Sequence, residues 1–228
     1  MEVQILDVMK WRKEEIETKA LIALWNSRVE EMGTIVKAYQ RTFNPHDFYP
    51  SVEDVCRIPD IRQVIMDGTD EEFNACAEEV TSRLPELTSQ FLKERTEKLS
   101  ALIPFSGRAD LSLATVWFKC RLCRSLLIHG EDALKHECLR PQNRSDGGRP
   151  VGGATFDNFI LRRGWFANEF IPSDYASAIA RAIILECGEN PESITLDEVN
   201  SKLYRFFINE DGERFVYSWM ERVSFVFS

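Results

Sequence analysis

The sequence predicts a mainly α-helical chain carrying a small ββα-like zinc element and a C-terminal β-hairpin, an α+β fold. Three observations carry this reading. Apolar residues recur at steps of three, four and seven from Trp11 to about Gln40, and helix-start signals follow over the rest of the first hundred residues. Cysteine and histidine crowd into residues 120–138. Two short β-branched and aromatic runs flank Asn209-Glu210-Asp211-Gly212 near the end of the chain. At 228 residues and 44% hydrophobic, with 15 Phe and 5 Trp, the chain can bury a core without disulfides and is not a disordered sequence.

From Trp11 to about Gln40, Ile16, Ala20, Leu21, Leu24, Trp25, Met32, Ile35, Val36 and Tyr39 form one wide apolar stripe, predicting an amphipathic helix buried along that stripe. Glu14, Glu15, Glu30, Glu31 and Lys37 lie on its opposite, solvated face. Three prolines make Arg41–Pro59 an ordered loop, followed by a short helix at Asp60–Met66. Thr69 and Glu72 form a capping box for the next helix, which runs to about Arg83, and Pro85 then opens another reaching about Ile103. Leu111–Phe118 has the composition of a short strand or its approach.

Further along, Ser173 begins a helix that ends near Cys187, with Gly188 as its stop. Thr195 and Glu198 cap a helix of about two turns, and the hairpin follows. The expected organisation is a helical region over 1–110, a zinc-binding element over 111–140, a linker or mobile loop over 141–155, and an α+β region over 156–228.

Zinc takes four ligands in a tetrahedron, and thiolate and imidazole suit it best. Cys120 and Cys123 have two residues between them, which lets one tight turn aim both sulfurs at a point. Twelve residues separate Cys123 from His136, enough for a turn and two helical turns to return the chain to the metal. On a continuous helix His136 and Cys138 would point about 200° apart. Both can bind only if the helix ends at His136 and Cys138 lies in the following turn, an ending that Pro141 and the Gly-rich stretch after it favour. The predicted ligands are therefore Cys120, Cys123, His136 and Cys138, and four protein ligands leave no open position for a catalytic water.

Rival readings of these residues fit less well. Thioredoxin-like chemistry needs a βαβ context that does not surround this Cys-x-x-Cys. A zinc deaminase needs His-x-Glu ahead of its Cys-x-x-Cys, whereas His136-Glu137 comes after it. His129 is the competing imidazole, read as a turn residue leading into the helix. His46 reads as a surface loop residue, and Cys56, Cys76 and Cys187 as small buried hydrophobes.

With these motifs in place, the chain resembles uncharacterised F-box-type proteins of mushroom-forming fungi, in the region downstream of their F-box. Leu113-Ala114-Thr115-Val116-Trp117-Phe118-Lys119-Cys120-Arg121-Leu122-Cys123 and Ala133-Leu134-Lys135-His136-Glu137-Cys138 carry the first part of the resemblance. Ile183-Ile184-Leu185-Glu186-Cys187-Gly188, Pro191, Thr195 and the hairpin ending at Trp219 carry the second. The matching residues include no F-box, so no ubiquitin-ligase role comes with them. The second Cys/His cluster that the group often carries has no counterpart at Arg205-Phe206-Phe207-Ile208 or Val223-Ser224-Phe225. The resemblance implies a protein-binding region, substrate- or partner-recruiting, with one structural zinc.

The residues exclude more than they assign. No phosphate-binding GxxxxGK[ST], no GxGxxG and no GxSxG is present, and with only 3 His an enzyme is not expected. No apolar run approaches the roughly 18 residues of a membrane span, and the N-terminus lacks the pattern of a secretory signal, so an intracellular protein of cytoplasm or nucleus is expected. No small-molecule substrate is evident. The expected function is a non-catalytic, zinc-stabilised protein-interaction module that binds a protein partner within a larger assembly.

Nucleic-acid binding is the alternative. The net charge of −9 opposes it, but residues 119–163 carry nine basic and five acidic side chains. Lys119, Arg121, Arg124, Lys135, Arg140, Arg144, Arg149, Arg162 and Arg163 would meet phosphates, and Trp117 and Phe118 would stack on bases. An enzyme of unrecognised type is the second alternative.

Overall fold

A computed structural model describes residues 2–44, 47–103, 110–123, 127–136, 165–202, 205–208 and 214–217. Among these, helices dominate, with a small antiparallel sheet and a separate hairpin, so the α+β expectation holds. The chain divides into two compact units, one built on residues up to Phe91 and the other on Leu92–Cys138 and Trp165 onward. The 141–155 segment expected as a linker lies outside the described residues, as does His46.

Among the described residues, four helices form the first unit: α1 (Glu2–Gln40), α2 (Val52–Cys56), α3 (Pro59–Asp67) and α4 (Asp70–Ser100), whose turns from Leu92 onward belong to the second unit. Trp25, Met32 and Val36 from α1 pack with Val55 and Cys56 of α2, Ile61 and Ile65 of α3, and Phe73, Val80 and Leu84 of α4. The expected stripe on α1 is only half buried. Core contact begins at Trp25, while Ile16 is 67% exposed, Leu21 41% and Leu24 38%. The short helices α2 and α3 contribute only to the core that starts at Trp25, so the apolar residues before it gain no cover from them.

Two boundaries differ from expectation. Ser51 caps α2 inside the expected Arg41–Pro59 loop, exchanging hydrogen bonds with Asp54 in a capping box. Pro85 does not open a new helix but sits inside α4. A proline at that point removes one backbone donor. The apolar stripe nonetheless runs through it in register, at Phe73, Ala77, Val80, Leu84, Leu87 and Leu99, all buried. Packing along six positions outweighs one lost hydrogen bond. The Thr69–Glu72 capping box forms as expected, with the Thr69 N–H 2.7 Å from the Glu72 carboxylate.

The second unit centres on a three-stranded antiparallel sheet in the order β2-β1-β3, with β1 at Trp117–Cys120, β2 at Leu127–His129 and β3 at Phe170–Pro172. Helix α5 (Gly130–Lys135) follows β2 directly, completing the ββα shape. Gly130 must be glycine at that junction, since a Cβ there would stand 2.4 Å from the Leu111 carbonyl oxygen. The strand expected at Leu111–Phe118 starts later, at Trp117, and β3 was not expected at all.

Helices α6 (Asp174–Glu186) and α7 (Leu196–Lys202) complete this unit's core. Ala176, Ala180, Ile184, Ile194, Leu196 and Val199 close over Ala114 and Trp117. Gly188 ends α6 with φ +77°, a left-handed conformation that suits glycine. Thr195 and Glu198 exchange the expected capping hydrogen bonds. The hairpin pairs β4 (Arg205–Ile208) with β5 (Arg214–Tyr217), Arg205 opposite Tyr217. Among the described residues, no helix is long and apolar enough to cross a membrane.

Candidate metal centre

Strand β1 ends at Cys120, the following turn carries Cys123, and α5 returns the chain to place His136 just past its last residue. One ligand atom from each of Cys120, Cys123 and His136 lies within 4.8 Å of the other two. Cys123 Sγ stands 3.5 Å from His136 Nε2. A tetrahedral ion with thiolate at about 2.3 Å and imidazole nitrogen at about 2.0 Å would separate that pair of ligand atoms by about 3.5 Å. The cluster can therefore hold a metal ion. Burial holds His136 below the usual histidine range, which keeps its ring neutral and able to donate a lone pair.

The His136–Cys138 geometry is half answered. Helix α5 stops at Lys135, and His136 is already extended, with φ −67° and ψ 112°, so the roughly 200° divergence expected on a continuous helix does not arise. Cys138 itself lies outside the described residues.

Several groups that the sequence reading did not single out hold this geometry. The C-terminal carbonyls of α5 have no partners within the helix. Arg95 donates to the Leu134 carbonyl at 2.6 Å, and Trp165 Nε1 donates to the Ala133 carbonyl at 2.7 Å. The Arg95 guanidinium lies 5.0 Å over the Trp165 ring. Phe170 of β3 packs against Trp165 and meets the His136 ring edge-on at 5.8 Å. On the β1 side, the Leu122 N–H donates to Cys120 Sγ, and the Arg121 N–H to the Glu169 carbonyl. No sequence signal marks Arg95, Trp165, Glu169 or Phe170 as partners of this site, because each comes from a distant stretch of chain.

His129 is not a ligand. It caps α5 and is fully buried. The Leu113 carbonyl can only accept, so Nε2 carries the proton and donates to it at 2.9 Å. Nδ1 accepts from the Glu131 N–H, leaving neither nitrogen for a metal. Burial lowers its pKa; the Leu113 hydrogen bond and the Asp132 and Asp197 charges oppose this only partly.

That neutral ring makes stability depend on pH. Below about pH 6.5 the unfolded chain takes up a proton that the folded ring refuses, so the stability contributed above that value drains away on acidification, by up to about 1.4 kcal/mol per pH unit. Urea midpoints compared between pH 7.5 and 5.5 should fall further for wild type than for His129→Gln. Parallel profiles would refute this account.

The remaining cysteines are not at the cluster. Cys56 is fully buried, and its thiol is pushed up to about 12, mainly by burial, with Glu53 and Cys76 adding to the effect. Cys76 is half-buried against the first unit's core, and Cys187 caps α6 at its C-terminus. Trp117 and Phe118 are 2% and 0% exposed, so neither can stack on a base. Ahead of β1, Leu113 bridges Thr195, and Thr115 donates to the Pro191 carbonyl. No protein family, curated protein or solved structure matches the chain.

Proposed function

We propose that this chain is a non-catalytic protein-interaction module whose second unit is stabilised by one structural zinc ion, bound by Cys120, Cys123, His136 and Cys138. The observation that carries the reading is the convergence of Cys120, Cys123 and His136 within 4.8 Å of one another, with the Cys123–His136 pair at the spacing a tetrahedral ion requires. Zinc follows from the donors: two thiolates and an imidazole are soft to borderline ligands that disfavour magnesium and calcium. Cys138, two residues past a chain that has already left the helix, is the natural fourth ligand. With four protein ligands the ion would brace the β1 turn against α5 and offer no position for substrate.

A protein partner fits better than a nucleic acid. The stacking residues that the nucleic-acid alternative required are core residues, and the chain's net charge of −9 opposes phosphate. The F-box-type resemblance points the same way, toward recruitment of a partner into a larger assembly.

Elemental analysis of the purified chain should find one zinc per molecule. Affinity capture with metal-loaded protein should retain a partner that Cys120→Ser protein does not. Metal-free protein prepared without chelators would sink the zinc assignment. Tight binding to single- or double-stranded nucleic acid that collapses with added salt would replace the partner assignment.

A further inference from the structure

Leu21 and Leu24 of α1 lie exposed ahead of Trp25, and the charges that precede them on the same face name an occupant. Residues 10, 13, 14, 17, 21 and 24 share one helical face, since steps of three and four return to the same side of a 3.6-residue helix. Along that face the order is Lys10, Lys13, Glu14, Glu17, Leu21, Leu24, and every one of these residues is exposed. The face thus reads basic, acidic, apolar.

The charged part of that order is self-complementary under reversal. An antiparallel second helix of the same sequence, related by a two-fold axis between residues 13 and 14, sets Lys13 opposite Glu14 and Lys10 opposite Glu17 of the other copy. It lays Leu21 and Leu24 along the first two turns of the other copy's helix. The axis makes each pair occur twice, as an isologous interface requires. A parallel arrangement would instead oppose lysine to lysine and glutamate to glutamate. Lys13 pairs with Glu17 at 3.8 Å, with side chains 77% and 64% exposed, so among the described residues both remain open to a second partner.

We infer that α1 pairs antiparallel with α1 of a second copy of this chain through the face that carries residues 10–24. The interface is independent of the metal cluster, so its test stands apart from the zinc reading.

Sedimentation velocity on the full, metal-loaded chain should show a dimer at micromolar concentration that weakens between 50 and 500 mM NaCl. Lys10→Glu with Lys13→Glu makes the face wholly acidic, and Glu14→Lys with Glu17→Lys makes it wholly basic. Each double variant should raise the dimer dissociation constant at least about tenfold, because four attractive pairs become repulsive. All four substitutions together restore the antiparallel pattern and should restore the dimer. A monomeric wild type, salt-insensitive association, or a fourfold variant no tighter than the double ones would overturn the inference.

Discussion

Serine at Cys120 or at Cys123 is expected to abolish metal binding and to destabilise the second unit by at least about 3 kcal/mol, near a quarter of what zinc supplies to small fingers. The exchange removes one thiolate and leaves a hydroxyl that binds zinc poorly. The loss should be smaller than in an isolated finger. Ala114, Trp117, Ala176, Ala180 and Ile184 form a core that does not need the ion. It should still be large, because β1, its turn and α5 meet at the cluster and because Cys120 is itself buried. Urea denaturation gives the stability change, and elemental analysis gives the metal.

Two comparisons separate loss of metal from loss of packing. Wild-type protein stripped with a chelator should unfold at the midpoint of Cys120→Ser, and adding zinc should rescue only the wild type. Cys187→Ser, at the end of α6 and away from the cluster, should keep its full metal content. Cys138→Ser decides the fourth ligand: one zinc per chain with unchanged stability would remove Cys138 from the set. A Cys120→Ser protein with wild-type metal and midpoint would end the reading altogether.

How far the sequence revealed this arrangement follows from where each constraint is encoded. Cys120, Cys123 and His136 were legible because ligand chemistry and spacing are local, and the structure brings all three together. Thr69–Glu72 and Thr195–Glu198 were legible for the same reason, each cap being closed within four residues. The Ser51–Asp54 cap carried an equally local signal, but prolines on both sides suggested loop. Pro85 misled because its local effect is strong, while the evidence against it was the stripe continuing in register on either side.

Strand β3 and the supports of α5 were not legible. Phe170–Pro172 is three residues long, and only the exposed edge of β1 makes it a strand. Arg95 and Trp165 act across 39 and 32 residues respectively, a separation no pattern within one segment can encode. The basic residues expected to meet phosphate show the converse limit. Sequence could not show that Trp117 and Phe118, the aromatic residues beside them, were interior.

Arg28 poses the same problem, and its replacement is expected to cost the first unit about 3–5 kcal/mol, the range for breaking a buried charge arrangement. Its guanidinium, 4% exposed, reaches from α1 to the end of α3. There it donates to the carbonyls of Val64 at 3.2 Å, Ile65 at 3.0 Å and Gly68 at 2.8 Å. Helix α3 ends at Asp67, so the Ile65 carbonyl belongs to its last turn, while the Val64 carbonyl also accepts the Gly68 N–H that closes the helix. The guanidinium also pairs with Asp70, the first residue of α4, at 3.0 Å and lies 5.4 Å over the Phe73 ring.

One planar fork thus joins three helices, and a lysine, with a single point charge, cannot match that geometry. The ion pair is the lesser part, because the Asp70 side chain is 85% exposed. Thermal or urea unfolding should therefore rank the variants sharply. Arg28→Met and Arg28→Lys should both lose several kcal/mol, whereas Asp70→Asn should lose less than about 1 kcal/mol. Comparable losses for Asp70→Asn and Arg28→Met would mean that charge pairing, and not the capping of α3, holds these helices together.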